Sequence, residues 1–298
     1  MPWYIFALLA PILFSVSNYV DKFLLEKRIR DPFAITALTA LFSGILGIGI
    51  GIATGWKPIG GMGIWIAMAA GILLVLYLLP YFEALKREDA SRVIPLFGFI
   101  PVFTLVLSSI FLHESLAPRQ ILGILIVVAG GFVLSLRRIE GKIFRPRPAL
   151  WLMLLSSLLY GAVSILFRFV ARDVGFWTIL SWEYIGKGVG AAFLMSLPVI
   201  RRSIFSQMNG LKKSIGILLA NDGIAILGQM SEDYAVTLAL VPLVSVLGGI
   251  QPFFSVVEGL LLTIWFPRLI KEDIRRSVLI HKLASIVVMF AGLWLVYA

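Results

Sequence analysis

The chain contains no cysteine and only two histidines, His113 and His281, among 298 residues. Without thiols it has no disulfide, thiolate zinc site, thiol nucleophile or cysteine-ligated iron–sulfur cluster, and cysteine usage says nothing of redox compartment. A zincin needs H-E-x-x-H, but His113-Glu114 has Ala117 in the last place. A nucleotide-driven pump needs G-x-x-x-x-G-K-[ST]; Gly186-Lys187-Gly188 lacks both the upstream glycine and the hydroxyl residue. Charge is scarce as well. Only 14% of residues are Asp, Glu, Lys or Arg, 60% are hydrophobic, and mean hydropathy is +0.98. These proportions exclude an ordinary soluble domain and a disordered tail. They describe a membrane protein for which no cofactor is expected.

About 20 apolar residues carry a helix across a hydrocarbon layer of roughly 30 Å. Apolar runs punctuated by Gly, Pro and charge predict ten spans, near 3–24, 33–55, 62–84, 92–112, 119–136, 149–171, 176–199, 214–235, 242–265 and 280–298. Each run has helix length and lacks the in-out alternation of a barrel strand, so the expected class is an all-α membrane protein. Nothing basic precedes the first run, and Asp21 and Lys22 follow it, which predicts a retained span rather than a signal peptide.

The net charge of +10 sits in short clusters between apolar runs, a mark of topology rather than of nucleic acid. Of the 26 Lys and Arg, 21 fall at 22–30, 86–92, 137–147, 201–213 and 268–282, after spans one, three, five, seven and nine. The opposite side has Lys57, Arg119, Arg168 and Arg172, and Lys187 lies inside span seven. The positive-inside rule then predicts a multi-pass protein of the plasma (inner) membrane, with basic loops cytoplasmic and both termini outside.

A 151-residue shift aligns 93–106 with 244–257 and matches Val93/Val244, Leu96/Leu247, Gly98/Gly249, Pro101/Pro252, Phe103/Phe254 and Val106/Val257. A 161-residue shift matches Val127/Val288, Gly131/Gly292 and Leu134/Leu295, so ten extra residues fall around 266–279. The chain therefore reads as two five-helix repeats, 1–140 and 141–298. Because five is odd, consecutive copies enter the bilayer in opposite orientations, which is the inverted-repeat plan of secondary transporters. Two similar, non-identical bundles can alternate between inward-open and outward-open packings around one central site.

Pro101, the Phe111-Leu112-x-Glu114-x-Leu116 segment, Gln120, Gly123, Gly130 and Gly131 resemble the drug/metabolite transporter superfamily, of the EamA-like ten-helix kind. The second half keeps Pro252 and Gly292, but Trp265 stands where the repeat of Glu114 would fall. The resemblance implies export or exchange of amino acids or other small metabolites. Many bacterial members of that family are thought to have cytoplasmic termini, opposite to the charge count of this chain.

Ionisable groups near mid-bilayer cost about 2.5 to 3.5 kcal/mol on insertion scales, so each one in a span is a candidate. Glu183 and Lys187 are one helical turn apart. They are either a self-neutralised pair or an anion anchor with its counter-ion. Asn221, Asp222 and Gln229 lie in span eight; Asp222, Gln229 and Asp233 share a stripe expected to face a cavity, although Asp233 and Glu232 fall near the predicted span end, where solvated charge is the plainer expectation. Span nine aligns Gln251, Ser255 and Glu258 beside Pro252. Glu258 is the candidate for proton coupling, since a desolvated carboxyl can load and release a proton near neutral pH. Its alternative is a permanently protonated group bonded to a neighbouring helix. Asn18, Tyr77 and Tyr160 are further candidates, Asp21 reads as an interface charge beside Lys22, and Arg168 as snorkelling. G-x-x-x-G spacings at Gly47/Gly51, Gly51/Gly55 and Gly186/Gly190 predict close helix contact, within a monomer or in a homodimer.

The expected function is secondary active transport of a small polar or zwitterionic metabolite such as an amino acid, with protons a candidate coupling ion. Membrane lipid is an expected partner, and neither nucleic acid nor enzymatic turnover is. A passive pore for small metabolites is the alternative.

Overall fold

The structure is a computed structural model and describes residues 2–56, 59–88, 90–135, 148–265 and 276–298. The proposed repeat boundary at 140/141 and most of the extra segment at 266–279 lie outside the described residues. Every regular element described is helical: α1 (Trp3–Lys27), α2 (Pro32–Thr54), α3 (Gly61–Arg87), α4 (Ala90–Val93), a 3-10 turn (Ile94–Phe99), α5 (Ile100–Phe111), α6 (Pro118–Ser135), α7 (Pro148–Ala171), α8 (Phe176–Ser196), α9 (Pro198–Ser206), α10 (Met208–Leu238), α11 (Val241–Gly248), α12 (Gln251–Trp265) and α13 (Arg276–Tyr297).

Eight of the described helical segments are long and apolar enough to cross a membrane, counting the 3-10 turn with α5 and α11 with α12. The pair α8 and α9, bent by 89°, adds a ninth, and the apolar part of α6, Pro118–Val133, is shorter. Local chemistry sets several ends. Asp31 accepts the Phe33 N–H at 2.9 Å ahead of Pro32, and α2 stops at Gly55 with φ +77, a left-handed value that costs glycine little. Proline marks the breaks before α5 and α12. Pro95 opens the 3-10 turn, Pro101 opens α5, and α12 begins at Gln251-Pro252 just after Gly248 and Gly249.

Packing runs largely through small residues. The long contacts are α2 with α8, α3 with α7 and α8, α6 with α13, and α1 with α10. A Cβ on Gly44 would lie 2.5 Å from the Cα of Gly188, and one on Gly123 would lie 2.6 Å from the carbonyl oxygen of Gly292. Dispersion between backbones at such range replaces the hydrophobic drive that lipid does not supply. Gly47, Gly186 and Gly190 of the predicted G-x-x-x-G pairs face neighbouring helices of the same chain, near Tyr184, Met68 and Val75 respectively. Large apolar side chains such as Ile45, Ile52, Trp65, Phe193 and Trp294 face outward, as a lipid-bathed surface requires.

Candidate functional site

The helices surround a cavity with polar groups in its wall, about 1010 Å³ with its open mouth included. Its wall takes Asn18 and Asp21 from α1, Tyr77 and Tyr81 from α3, Tyr160 from α7, Lys187 from α8, and Asn221, Asp222, Gln229 and Glu232 from α10. Ser245 and Gln251 close it at the break between α11 and α12.

Two matched triads fix this wall. The Tyr81 hydroxyl lies 2.8 Å from Asn18 Oδ1 and 3.0 Å from Asp21 Oδ2, tying α3 to α1. The Tyr160 hydroxyl lies 3.2 Å from Gln229 Oε1 and 2.7 Å from Glu232 Oε2, tying α7 to α10. In both, the amide precedes the acid by three residues, so both side chains lie on one helix face. Asn221 Nδ2 donates to Asp21 Oδ1 at 2.7 Å, and Gln229 Nε2 reaches both Asp233 oxygens at 3.0 and 3.1 Å. Thr104 and Ser245 share a 2.6 Å hydrogen bond between α5 and α11.

Other groups at the wall have no partner. Asn18 Nδ2, Asn221 Oδ1, Asp222 Oδ2 and Gln251 Nε2 are buried without a hydrogen bond. A buried amide or carboxylate left so costs more than the average hydrogen bond gives, which marks these atoms for water or ligand. Lys187 Nζ lies 4.8 Å from the ring centroid of Tyr184.

Eight of the ten predicted site residues, Asn18, Tyr77, Tyr160, Lys187, Asn221, Asp222, Gln229 and Gln251, therefore lie on one cavity wall. Glu183 and Glu258 do not. Glu183 is fully buried with neither carboxylate oxygen hydrogen-bonded, and it forms no ion pair with Lys187 within 4.0 Å. The turn-apart spacing aligns the two residues without bringing their charged tips together. Glu258 sits between α12 and α1, where it accepts from Ser15 Oγ at 2.7 Å while Oε2 stays unpartnered.

Three expectations are corrected. Asp21, Glu232 and Asp233 are not solvated interface charges: they are 7%, 7% and 2% exposed, because Asp21 accepts from Tyr81 and Asn221, Glu232 from Tyr160, and Asp233 from Gln229. Asp21 and Glu232 join the wall, and their spacing behind Asn18 and Gln229 was the signal available in the sequence. Arg168 does not snorkel freely, since its Nη1 donates to Thr237 O at 2.6 Å.

Arg168 belongs to a second polar cluster, outside the cavity. Glu114, in the α5–α6 connection, accepts the Val241 N–H at 3.1 Å, and its other oxygen is 3.8 Å from Arg168 Nε and 3.9 Å from Arg172 Nη2. Burial pushes the Glu114 carboxyl above its usual range, while the Val241 N–H and the two guanidinium groups pull it back. Glu114→Ala leaves these donors without an acceptor and is expected to cost about 1 to 3 kcal/mol. The thermal midpoint of the purified protein reads this; an unchanged midpoint would mean that water substitutes for the carboxylate.

A bundle of membrane-length apolar helices around a polar cavity defines an integral, multi-pass membrane protein. Residues 1–136 match the EamA-like transporter family, and this match supports membership of the drug/metabolite transporter superfamily. An uncharacterized protein of Methanocaldococcus jannaschii is 36% identical over 70 residues, 24% of this chain. The match spans about half, 51%, of that relative's length. A crystal structure of another protein shares the fold with a TM-score of 0.62 at 20% identity, over 98% of this chain and 94% of that one.

Proposed function

We propose that the chain is a secondary active transporter, an exporter or exchanger of a small polar or zwitterionic metabolite such as an amino acid. It works by alternating access of two inverted five-helix repeats, 1–140 and 141–298, within ten spans. The observation that carries this reading is the cavity itself. Lys187, Asn18 and Gln251 offer unfilled donors for a carboxylate, and Asp222 and Asn221 offer unfilled acceptors for an ammonium group.

Several features support the inverted arrangement. The helix breaks recur at the shift found in the sequence, α5 starting at Ile100 and α12 at Gln251. Exchanging the halves turns the α3–α7 contact into α1–α10, and the contacts of α1 with α11 and α12 into those of α7 with the 3-10 turn and α5. It also exchanges the pair of helices joined by the Tyr81 triad with the pair joined by the Tyr160 triad. Discontinuous helices at a central cavity suit a carrier, since they expose backbone carbonyls only where water or ligand can meet them. In this reading the basic connections are cytoplasmic, the termini are outside, and the unit is a monomer or homodimer in the plasma (inner) membrane.

Counterflow in proteoliposomes tests the class: a carrier preloaded with unlabelled substrate accelerates uptake of labelled substrate, whereas a passive pore does not. Proton coupling is assigned to Glu258, supported by its unpartnered buried oxygen and its contact with Ser15 of α1. Glu258→Gln is expected to abolish pH-dependent uphill flux and leave part of the exchange. Unaltered pH dependence would discard that role.

A further inference from the structure

We propose that the preferred ligand of this cavity is a linear aliphatic diamine, with an ammonium group at each end of a methylene chain. The inference rests on the carrier reading; within its small polar metabolites it selects a dication in place of the zwitterion at the same site. Three carboxylates, Asp21, Asp222 and Glu232, line the wall against one ammonium group, Lys187. Glu183 and Asp233, both buried, stand outside the lining and add no positive charge. A zwitterion, whose two charges cancel, leaves the lining acids in excess, and an unpaired buried charge is costly. With all three lining acids ionised, a dication balances the lining.

The acids are also arranged in a line. Asp222 and Glu232 lie ten residues apart on α10, about 15 Å along the helix axis. Asp21 belongs to the Asp222 end, where Asn221 donates to it at 2.7 Å. Tyr160 holds Glu232 at the far end. Between the two ends α10 contributes Ala225, Ile226 and Gln229, and Phe14 and Tyr77 also line the cavity, so a largely apolar stretch of wall suits methylene groups. Tyr77 and Tyr160 meet edge to face, with ring centroids 5.0 Å apart, and present aromatic faces that favour an ammonium group. The acids do not stand alone as a signal. Asp222 Oδ2 and Asn221 Oδ1 belong to wall residues 6% and 2% exposed and have no partner, so the near end holds acceptors that nothing in the fold fills.

Three probes separate end-group charge from size: 1,8-diaminooctane, 8-aminooctanoate of similar length, and norleucine. Calorimetric titration of the full-length protein in detergent near pH 7 is expected to show saturable binding of the diamine, at least about tenfold tighter than either zwitterion. Asp222→Asn and Glu232→Gln are each expected to weaken the diamine about tenfold and to change norleucine less. Gel filtration reports whether either variant fails to fold, and the other then serves. Equal or tighter binding of 8-aminooctanoate or norleucine overturns the proposal, as does the absence of saturable diamine binding. Counterflow of norleucine together with either result would leave the carrier reading standing while removing this one.

Discussion

Gly71→Leu is expected to leave little or no folded protein. A Cβ at Gly71 would overlap the carbonyl oxygen of Glu183 and lie 2.7 Å from the Lys187 N, while one at Gly186 would overlap the carbonyl of Met68. Thus α3 and α8 touch backbone to backbone on both sides of the contact, and neither neighbour is a flexible side chain that can turn away. Overpacking typically costs 1 to 3 kcal/mol where side chains relax, about the size of a large share of total stability. Here the helices themselves must separate. They carry Lys187 on α8 and Tyr77 and Tyr81 on α3, so the cavity wall would be lost with them. The check is the yield and thermal midpoint of detergent-purified protein, with Gly216→Ala as the control. Nothing lies within 4 Å of a Cβ there, and helix propensity predicts a small gain rather than a loss. A folded Gly71→Leu protein with an ordinary midpoint would show that the two helices do not pack this closely.

Lys187→Ala is expected to change selectivity more than any other single substitution in the wall. Lys187 is the one ammonium group among the described lining residues and is 8% exposed, with its charge over Tyr184 instead of against an acid. A ligand carboxylate loses its only cationic partner in the variant. Truncating one member of a buried charge pair costs about 2 to 5 kcal/mol, so zwitterions are expected to bind at least tenfold more weakly. A diamine has no such partner to lose and gains from removal of a like charge, so its affinity is expected to hold or rise. Competition binding with norleucine and 1,8-diaminooctane reads both effects. Equal losses for the two ligands would assign Lys187 a purely structural part.

The signals that the sequence carried strongly were those set by the solvent and by local geometry. Apolar runs of membrane length gave all-helical segments within a few residues of the observed ones, because unpaired backbone in lipid leaves few alternatives. Pro101 and Pro252 stood out as a repeated pair, and the breaks fall beside them, since proline withholds a donor wherever it stands. Of the polar stripe on α10, Asp222 and Gln229 face the cavity, whereas Asp233 is buried outside its lining. Span ends were the weak point. A charge within a turn of a predicted end reads as solvated, which turned Asp21, Glu232 and Asp233 into interface charges. In the fold, partners on neighbouring helices or the next turn hold them inside the bundle.

Sequence alone therefore determined the membrane class, the places where helices run, and eight of the wall residues, because each depends on the chemistry of a short stretch against water or lipid. Tertiary structure alone decided which polar atoms meet. That Tyr81 holds Asn18 and Asp21, that Glu183 and Lys187 stay apart, and that Glu258 faces Ser15 outside the cavity depend on how helices remote in the chain approach and rotate. Hydrogen bonds and charges act over a few ångströms, and no local pattern fixes that distance between separate helices.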